Sequence, residues 1–383
     1  MKVPFLDLKI QYQLIKEEID SAIQNVLTNT AFILGDEVGN FEKKFAEAHQ
    51  TNFCIGTNNG TSALQIGLHA LLKPDPVDST EINRTECIVP VNTYIATAEA
   101  VSAVGAKVVL VDNNKNYNID VNKIEEKITK NTKVIIPVHL YGQPANMDLI
   151  LKLADKYNLY VLEDCAQAHL SRYKGKPVGS FGDIGVFSFY PGKNLGAYGE
   201  AGACVTNNKE LFDHMLAYRN HGQSKKYYHE IIGHNFRMEG IQGAILGVKL
   251  KYLSNWTEAR RGHAYLYNEL LKDIPQVITP KELANVYAVY HLYVVKVENR
   301  DKLAIFLKGN GIETGLHYPI PIHLQNAYKH LGYKRGDFPI IETEADRIFS
   351  LPMYPELNKT QIEYVANCIK KFFAQYECAN TSR

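Results

Sequence analysis

Residues 134–162 read VIIPVHLYGQPANMDLILKLADKYNLYVL, and the spacing of their apolar residues changes twice along this stretch. Residues 134–138 form a short apolar run that is typical of a buried strand, and residues 159–162 form a second one. Between them, residues 148–156 carry apolar side chains at helical spacing. Two buried strands joined through a helix predict a parallel strand pair with the helix packed on one face.

The same alternation extends to both sides of this unit. Further strands are predicted at residues 54–55, 86–89, 107–111 and 184–188. Helices are predicted at residues 13–27, 38–48, 61–72 and 96–104. A chain that alternates strand and helix in this way predicts an α/β fold, with a mostly parallel central sheet and helices on both faces.

The pattern changes near residue 256. Residues 256–273 predict one long charged helix, residues 287–297 predict strand, and residues 302–307 predict a further helix. We therefore expect a large domain over residues 1–255, which includes the N-terminal helical segment, and a smaller C-terminal α+β domain over residues 256–383. Residues 73–85, which contain two prolines, predict an exposed loop inserted between a helix and a strand.

Charge and composition argue against several classes of partner. The 42 Lys and Arg residues nearly cancel the 41 Asp and Glu residues, so there is no surplus with which to bind nucleic acid or a membrane surface. Because no window approaches 18 uninterrupted apolar residues and the first 14 residues lack the pattern of a signal peptide, we expect neither a membrane span nor secretion. The six cysteines are scattered without a CxxC pair, which indicates reduced thiols in a cytoplasmic protein and no metal site.

One lysine lies in an unusual setting. Residues 188–203 read SFYPGKNLGAYGEAGA and place Lys193 among Gly, Pro and small residues, just after a predicted strand. A glycine-rich loop lets the backbone approach a ligand closely, and a desolvated amine can lose its proton and attack a carbonyl. The alternative is an ordinary surface lysine beside a turn, and this segment alone does not decide between the two.

Asp164 lies at the end of the predicted strand, two residues after its last apolar residue at 162, and 29 residues before Lys193. Ligands of open α/β sheets bind outside the carboxyl ends of the strands, and a carboxylate there can pair with a protonated pyridine nitrogen. The alternative is that Asp164 caps a following helix, which is a common role for aspartate.

Residues 56–64 read GTNNGTSAL and form a Gly- and hydroxyl-rich turn that leads into a helix. The free N–H groups of a helix start, together with Gly60 and the hydroxyls of Thr61 and Ser62, are suited to bind a phosphate. The segment lacks the P-loop lysine and the GxGxxG spacing, which argues against a nucleoside triphosphate or a dinucleotide. A simple helix cap is the alternative. Together, the three segments supply what pyridoxal 5'-phosphate (PLP) requires, namely an amine for its aldehyde, an acid for its ring nitrogen and a phosphate site.

Over nearly its whole length the chain resembles the sugar aminotransferases of the DegT/DnrJ/EryC1/StrS family. The matching stretches are residues 4–8 (PFLDL), 60–62 (GTS), 90–97 (PVNTYIAT), 139–142 (HLYG), 163–169 (EDCAQAH), 188–203, 219–222 (RNHG), 233–238 (GHNFRM) and 317–325 (HYPIPIHLQ). The resemblance implies the aspartate-aminotransferase-like fold of type I PLP enzymes. One departure is Gly240-Ile241, where relatives usually carry an acid and a leucine.

The resemblance also implies roles for individual residues. Lys193 would be the Schiff-base lysine, Asp164 the partner of the pyridine nitrogen, and Gln167 a contact to the hydroxyl side of the ring. Tyr94 would stack over the ring, where the alternative is a core aromatic. The implied phosphate ligands are Gly60, Thr61, Ser62 and Ser188, with Asn235 reaching in from a second subunit, so a homodimer with composite active sites is expected. The implied substrate-binding residues are His169, Tyr190, Arg237, His317, Tyr318 and His323.

The implied reaction moves nitrogen from L-glutamate to the cofactor and then to the ketone of a nucleotide-linked keto sugar, with Lys193 also shuttling a proton. Residues 194–197 (NLGA) and 317–325 are similar to those of the relatives that aminate C-3 of dTDP-3-keto-6-deoxyhexoses. A C-4 aminotransferase acting on a dTDP- or UDP-4-keto-6-deoxy sugar remains open. So does a protein of another class, a regulator that binds PLP or a sugar nucleotide without turnover.

Overall fold

The structure, a computed structural model, describes residues 1–74 and 80–381. The α-helices are α1 Leu8–Leu14, α2 Lys16–Asn29, α3 Asp36–Ala48, α4 Gly60–Leu72, α5 Ala96–Ala103, α6 Met147–Tyr157, α7 Lys209–Arg219, α8 Gly240–Lys249, α9 Leu253–Leu271, α10 Arg300–Gly309, α11 Pro339–Ala345 and α12 Lys359–Thr381. The strands are β1 Phe53–Thr57, β2 Glu86–Pro90, β3 Lys107–Val111, β4 Thr132–Ile135, β5 Tyr160–Asp164, β6 Arg172–Tyr173, β7 Lys176–Pro177, β8 Ile184–Ser188, β9 Gly202–Thr206, β10 Gln223–Lys225, β11 Tyr228–His229, β12 Val277–Ile278, β13 Val286–Tyr287, β14 Tyr293–Val297 and β15 Ile348–Leu351. Among these helices, none combines the length and the apolar composition needed to cross a membrane.

A seven-stranded sheet forms the centre of the large part of the molecule, in the order β1-β9-β8-β5-β4-β2-β3. Strands β3, β2, β4, β5 and β8 are parallel neighbours, whereas β9 runs antiparallel to both β8 and β1. The predicted α/β class with a mostly parallel sheet is confirmed.

Successive residues of the central strands pack into different cores. In β2, Cys87 and Val89 belong to the cluster that contains α4 and α5, whereas Ile88 between them belongs to the cluster that contains α6. Side chains of a strand alternate between the two faces of a sheet, so both faces of β2 are covered by apolar layers. This is why the strands appear in the sequence as continuous apolar runs rather than as an alternation of apolar and polar residues.

The carboxyl ends of β5 and β8 lie side by side, because Asp164 is paired in register with Val186, two residues before Ser188. Helix α4 begins at Gly60, close to the same sheet edge. The fold therefore brings together the three segments that the sequence singles out, although they are separated by about 100 to 130 residues at the extremes.

A three-stranded antiparallel sheet in the order β12-β14-β15 forms the second, smaller unit. Its apolar core takes residues from α9, α10 and α12, and Val3 from the N-terminal segment packs into it as well. The predicted division at residue 255 falls within the first turn of α9, which begins at Leu253. That division stays a prediction.

Two local predictions need correction, and a third falls partly outside the described residues. The predicted helix at residues 13–27 is two helices, because Ile15 leaves the helical conformation (φ −124°, ψ 19°) between α1 and α2. The predicted strand at 134–138 ends at Ile135, shortly before Pro137, which has no N–H with which to continue the ladder. Part of the loop predicted at 73–85, residues 75–79, lies outside the described residues, and Ile82–Arg84 form a short 3-10 turn.

Gly240, where the chain departs from its relatives, begins α8 in close contact with another segment. A Cβ at this position would lie 1.9 Å from the carbonyl oxygen of Ala31. Any other residue would force the two segments apart, so the glycine at this position has a packing reason within a single chain.

Candidate active site

Asp164 is the last residue of β5, and its side chain is 4% exposed. Its Oδ2 accepts a hydrogen bond from the Thr97 hydroxyl (2.8 Å), and its Oδ1 accepts one from the Ala166 N–H (3.1 Å). Burial raises the pKa of Asp164, while the two hydrogen bonds and the charge of Lys193 partly counteract that rise. Residues 165–171 form turns rather than a helix, so the alternative of a helix cap is wrong.

Thr97 and Thr93 form a short chain of hydroxyl groups behind Asp164. The two hydroxyl oxygens are 3.0 Å apart, and both residues are buried. Since the Thr97 proton goes to Asp164, Thr93 donates to Thr97. This support cannot be predicted from the sequence, because Thr97 carries no local signal that connects it with a residue 67 positions away.

Lys193 lies in a tight turn in which its backbone N–H donates to the carbonyl of Tyr190 (2.8 Å). Burial lowers the pKa of Lys193 to about 8, although the charge of Asp164 acts in the opposite direction. An exposed lysine beside a turn would be solvated and would keep an ordinary pKa. The amine is therefore desolvated and electrostatically coupled to Asp164.

Buried contacts hold the loop that follows Lys193. The ammonium of Lys249 donates to the Gly196 carbonyl (2.6 Å), and the Asn194 amide donates to the carbonyl of Val289 (3.0 Å). The N–H of Ala197 donates to Phe189 at the start of the loop (2.8 Å). With so many of its polar atoms paired to buried groups, the loop is held in a fixed position.

The start of α4 approaches the ends of β8 and β9 very closely. A Cβ on Gly60 would lie 2.6 Å from the Ser188 Cβ, and a Cβ on Gly202 would lie 2.5 Å from the carbonyl carbon of Asn59. Asn59 is the N-cap and accepts from the Ser62 N–H (2.8 Å), so the helix-cap alternative is correct as well. The cap leaves the first N–H groups of α4 available, beside the hydroxyl of Ser188.

Gln167 and two tyrosines form a hydrogen-bonded layer next to Asp164. The Gln167 Oε1 accepts from the N–H of Tyr141 (2.7 Å), and its Nε2 donates to the Tyr318 hydroxyl (3.1 Å). Tyr94 packs against Tyr318 with 5.7 Å between ring centroids and is 56% exposed. The alternative of a core aromatic for Tyr94 is therefore wrong, and its ring is open to a ligand.

Histidines proposed as substrate ligands lie in three different settings. His317 is near Lys193, whose charge adds to the effect of burial in lowering the pKa of His317 to about 4, and its Nδ1 lies 2.8 Å from the Ser350 hydroxyl. His169 is fully buried, with its Nε2 bonded to the Ser188 carbonyl (3.0 Å) and its Nδ1 enclosed without a partner. His323 is also buried, and it contacts Glu342 (2.9 Å) and Phe338 rather than the Lys193 loop.

Three further predicted ligands are more accessible. Tyr190 and Asn235 are exposed, and Arg237 is half-buried. The Asn235 Oδ1 accepts from the Arg237 Nε (2.9 Å), and the guanidinium of Arg237 also donates to Asn220 (3.2 Å). Asn235 therefore keeps its amide N–H groups available for a group outside these contacts.

His291 and Arg260 were not predicted from the sequence. The Nδ1 of His291 lies 3.2 Å from the Asn194 Oδ1, next to Lys193 in the chain. Arg260 is buried, and its Nη1 donates to the carbonyls of Tyr290 (3.4 Å), His291 (3.4 Å) and Met353 (2.8 Å). Short sequence motifs cannot reveal either residue, since their partners lie 30 to 97 positions away.

A buried cluster of His139, Glu163 and Cys165 lies close to Asp164, with potential ligand atoms within 4.8 Å of one another. Both oxygens of Glu163 already accept hydrogen bonds, from the backbone N–H groups of Gly179, Phe181 and Gly182, and one of them also pairs with His139 (3.0 Å). Structural hydrogen bonds account for this cluster.

Comparison with known proteins covers almost the whole chain. The sequence profile of the DegT/DnrJ/EryC1/StrS aminotransferase family matches residues 13–370. A dTDP-3-amino-3,6-dideoxy-alpha-D-galactopyranose transaminase of Aneurinibacillus thermoaerophilus is 44% identical over 372 residues, which cover 97% of this chain and 99% of the relative. A pleiotropic regulatory protein of Geobacillus stearothermophilus is 42% identical over 379 residues, 98% of this chain and 100% of the relative.

A solved structure agrees with these matches. The crystal structure of S. venezuelae DesV in complex with a ketimine intermediate superposes with a TM-score of 0.93 at 39% identity, covering 97% of this chain and 98% of DesV. Family, fold and the arrangement around Lys193 and Asp164 point in the same direction. The chain belongs to the DegT/DnrJ/EryC1/StrS aminotransferase family, whose enzymes use pyridoxal phosphate as cofactor.

Proposed function

We propose that this aminotransferase moves the amino group of L-glutamate to the C-3 ketone of a dTDP-linked 3-keto-6-deoxyhexose. The observation that carries the proposal is the similarity to the A. thermoaerophilus relative, a transaminase for a dTDP-linked 3-amino-3,6-dideoxyhexose. Identity of 44% over nearly the full length of both chains supports a site of the same design in the two proteins.

The residues at the sheet edge fit the cofactor. A Cβ on Gly60 or Gly202 would clash with the neighbouring segment, so these glycines let the start of α4 pack directly against β8 and β9 and bring its N–H groups beside the Ser188 hydroxyl, which suits a phosphate. Each oxygen of Asp164 accepts one hydrogen bond from the protein, and a carboxylate oxygen can accept two, so Asp164 has capacity for the N–H of a pyridinium ring. We propose that Gly60, Thr61, Ser62 and Ser188 hold the phosphate, while Tyr94 and Gln167 contact the ring.

When bound, PLP supplies an electrophilic carbonyl carbon and an electron-withdrawing ring. Asp164 would hold a proton on the ring nitrogen, and the Thr97 hydroxyl keeps the carboxylate in place for that task. Since the pKa of Lys193 is lowered to about 8, roughly a tenth of its amine is unprotonated at pH 7 and can act as nucleophile or base. The protonated remainder can return a proton, so Lys193 would serve as both base and acid in the transfer.

We further propose a homodimer in the cytoplasm with composite sites. Asn235 supports the dimer, because it is exposed and its amide N–H groups are free to donate to the phosphate in a second subunit. The five described cysteines are unpaired thiols, which supports a reducing compartment. Tyr190, Arg237, His317 and Tyr318 are the proposed sugar-nucleotide contacts; for the more deeply buried His169 and His323, that role would require the site to rearrange.

The test is to incubate PLP-loaded protein with L-glutamate and a panel of dTDP- and UDP-linked 3-keto and 4-keto 6-deoxy sugars. NMR of the product then locates the new amine. Amination of a dTDP-3-keto-6-deoxyhexose at C-3, absent with Lys193→Ala, is the expected result. An amine found at C-4 would replace the proposal by the C-4 alternative, and binding of every sugar without turnover would support the regulator.

A further inference from the structure

His291 lies at the edge of the candidate site, between β13 and β14. It contacts Asn194, which follows Lys193 directly, through Nδ1 and Oδ1 at 3.2 Å. Its backbone is packed against the segment that carries Gln167, since a Cβ on Gly142 would lie 3.0 Å from the His291 nitrogen and 3.1 Å from the Gln167 carbonyl oxygen. The imidazole therefore contacts the chain neighbour of Lys193, and the backbone of His291 lies beside Gly142, which also approaches the backbone of Gln167.

The contact with Asn194 determines which ring nitrogen of His291 carries a proton. The Asn194 Nδ2 donates to the carbonyl of Val289 (3.0 Å), and this bond turns the Oδ1 of the same amide toward His291. An amide oxygen can only accept, so the Nδ1 of His291 must donate and therefore carries the proton.

The other ring nitrogen carries none. Burial lowers the pKa of His291 well below its ordinary value, and the charges of Lys193, Arg260, His317 and His169 act in the same direction. The ring is therefore neutral at pH 7, and Nε2 presents a lone pair. Within the described part of the chain Nε2 has no hydrogen-bond partner, and in contrast to the Nδ1 of His169 it is not enclosed.

An accessible lone pair beside the reactive lysine requires a donor. The carboxylates of L-glutamate only accept hydrogen bonds and its amine is the group that reacts with the cofactor, whereas the hydroxyls of a keto sugar can donate to Nε2. Because Asn194 is the chain neighbour of Lys193, whose amine would act at the ketone carbon, a hydroxyl on a carbon next to that ketone is the donor that His291 would be placed to meet.

We propose that His291 is a specificity-determining residue whose Nε2 accepts a hydrogen bond from a sugar hydroxyl adjacent to the ketone, with Asn194 as the positioning residue that sets its tautomer. This assignment rests on the proposed function, because it requires a keto sugar as the amino acceptor.

Two substitutions distinguish the roles of the two ring nitrogens of His291. In His291→Gln the side-chain oxygen takes the place of Nε2 as an acceptor, whereas in His291→Asn the side-chain amide can keep the bond to Asn194 but no acceptor reaches the sugar. With dTDP-3-keto-6-deoxyhexose, we expect His291→Asn to raise KM about tenfold and His291→Gln to recover most of that loss. A role in packing alone predicts equal losses in the two variants.

Half-reactions and deoxy analogues test the same assignment from the side of the substrate. In single-turnover kinetics, His291→Asn should lower the rate of the half-reaction with the sugar at least about fivefold more than the rate of the half-reaction with L-glutamate. For the wild type, kcat/KM should fall about tenfold with either the 2-deoxy or the 4-deoxy analogue of the sugar. For His291→Asn, kcat/KM should not fall further with that analogue. Additive losses with both analogues would overturn the proposal.

The tautomer has a readout that does not depend on turnover. In protein labelled with 15N-histidine, the resonances lost in His291→Gln identify His291, and they should show protonated Nδ1 and unprotonated Nε2 from pH 6 to 8. Asn194→Asp places a carboxylate beside Nδ1 and should raise the pKa of His291 above that of the wild type. Protonated Nε2 in the wild type would overturn the inference even if sugar amination is confirmed, and absence of amination in the wild type would overturn the proposed function instead.

Discussion

The buried side of the candidate site and its exposed side differ in how many of their polar atoms are already paired. On the buried side, Asp164, Gln167 and Thr97 have hydrogen-bond partners within the chain. On the exposed side, Tyr94 and Tyr190 present more than half of their surface to solvent, and the amide of Asn235 has N–H groups to spare. A single chain thus completes the surroundings of Asp164 and Lys193, while the opposite side offers unpaired groups to ligands and to the proposed second subunit.

This difference indicates where substitutions should act through chemistry and where through binding. Groups held in place by several buried partners are suited to act on the reacting atoms, because they need no reorganisation. Exposed groups with unused hydrogen-bond donors contribute to the site only after a ligand or a second subunit has bound. The predictions below separate these two kinds of effect, beginning with the largest.

Lys193→Ala should lower amino transfer by about four orders of magnitude, because the nucleophile and the proton carrier are both removed. Lys249 offers a matched control, since burial also lowers its pKa to about 8. Its ammonium is enclosed and donates to the Gly196 carbonyl, so it should not react. Borohydride fixes the cofactor to the amine that holds it, and peptide mass spectrometry should find the label on Lys193 in wild type and in Lys249→Met. A label on Lys249 would refute the assignment.

Asp164→Asn should lower turnover by about three orders of magnitude with PLP still detectable in the absorption spectrum, because the charge is lost while the shape is kept. Thr97→Val is the matched control, since it removes one hydrogen bond to Asp164 but leaves the carboxylate. The turnover of Thr97→Val should fall only about tenfold. Near-normal turnover of Asp164→Asn would show that the carboxylate has no part in the chemistry.

Asn235→Ala should weaken PLP binding by about tenfold, the effect of one lost hydrogen bond to a charged group. Co-expression with Lys193→Ala tests whether the contact crosses subunits: a heterodimer would combine Lys193 from one chain with Asn235 from the other in one complete site. Activity of the mixture should exceed the sum of the two variants. Asn220→Ala, which disturbs the same Arg237, should bring no such rescue. Failure of the mixture, with heterodimers confirmed by mass spectrometry, would mean that Asn235 acts within its own chain.

The smallest predicted effect concerns pH. The rate at which apoprotein captures PLP should rise through a midpoint near pH 8, the pH at which Lys193 loses its proton. Asp164 raises the pKa of Lys193, so Asp164→Asn should move this midpoint to lower pH by a fraction of a unit. Stopped-flow absorbance across pH 6 to 10 measures both midpoints. A shift to higher pH would contradict the coupling between the two groups.

The sequence predicted those features that depend on short segments. Six of the seven central strands were predicted, because each is a compact apolar run with polar or glycine residues at its ends. The seventh, β9, begins at Gly202 within the glycine-rich stretch that follows Lys193, where the signal of a loop conceals that of a strand. Lys193 and Asp164 could be singled out because their local setting is unusual for their residue types.

What the sequence could not supply are contacts between distant segments. Thr97 supports Asp164, and Asn194 meets His291, through side chains that lie 67 and 97 positions apart. Neither hydroxyl nor imidazole differs locally from those in other helices and loops. Burial is equally hard to predict at the level of single side chains, as His169 and His323 illustrate: their motifs suggested substrate contacts, whereas the structure encloses them.

Arg260 has a consequence for the construction of chimeric enzymes. Its three carbonyl acceptors, on Tyr290, His291 and Met353, all lie on the C-terminal side of residue 255, as does Arg260 itself. A C-terminal segment exchanged between relatives at that junction would therefore arrive with the backbone of His291 already held in position. Asn194 comes from the other parent. A recombinant that keeps an amide at this position should preserve the contact with His291 across the junction, whereas one that changes it would lose that contact.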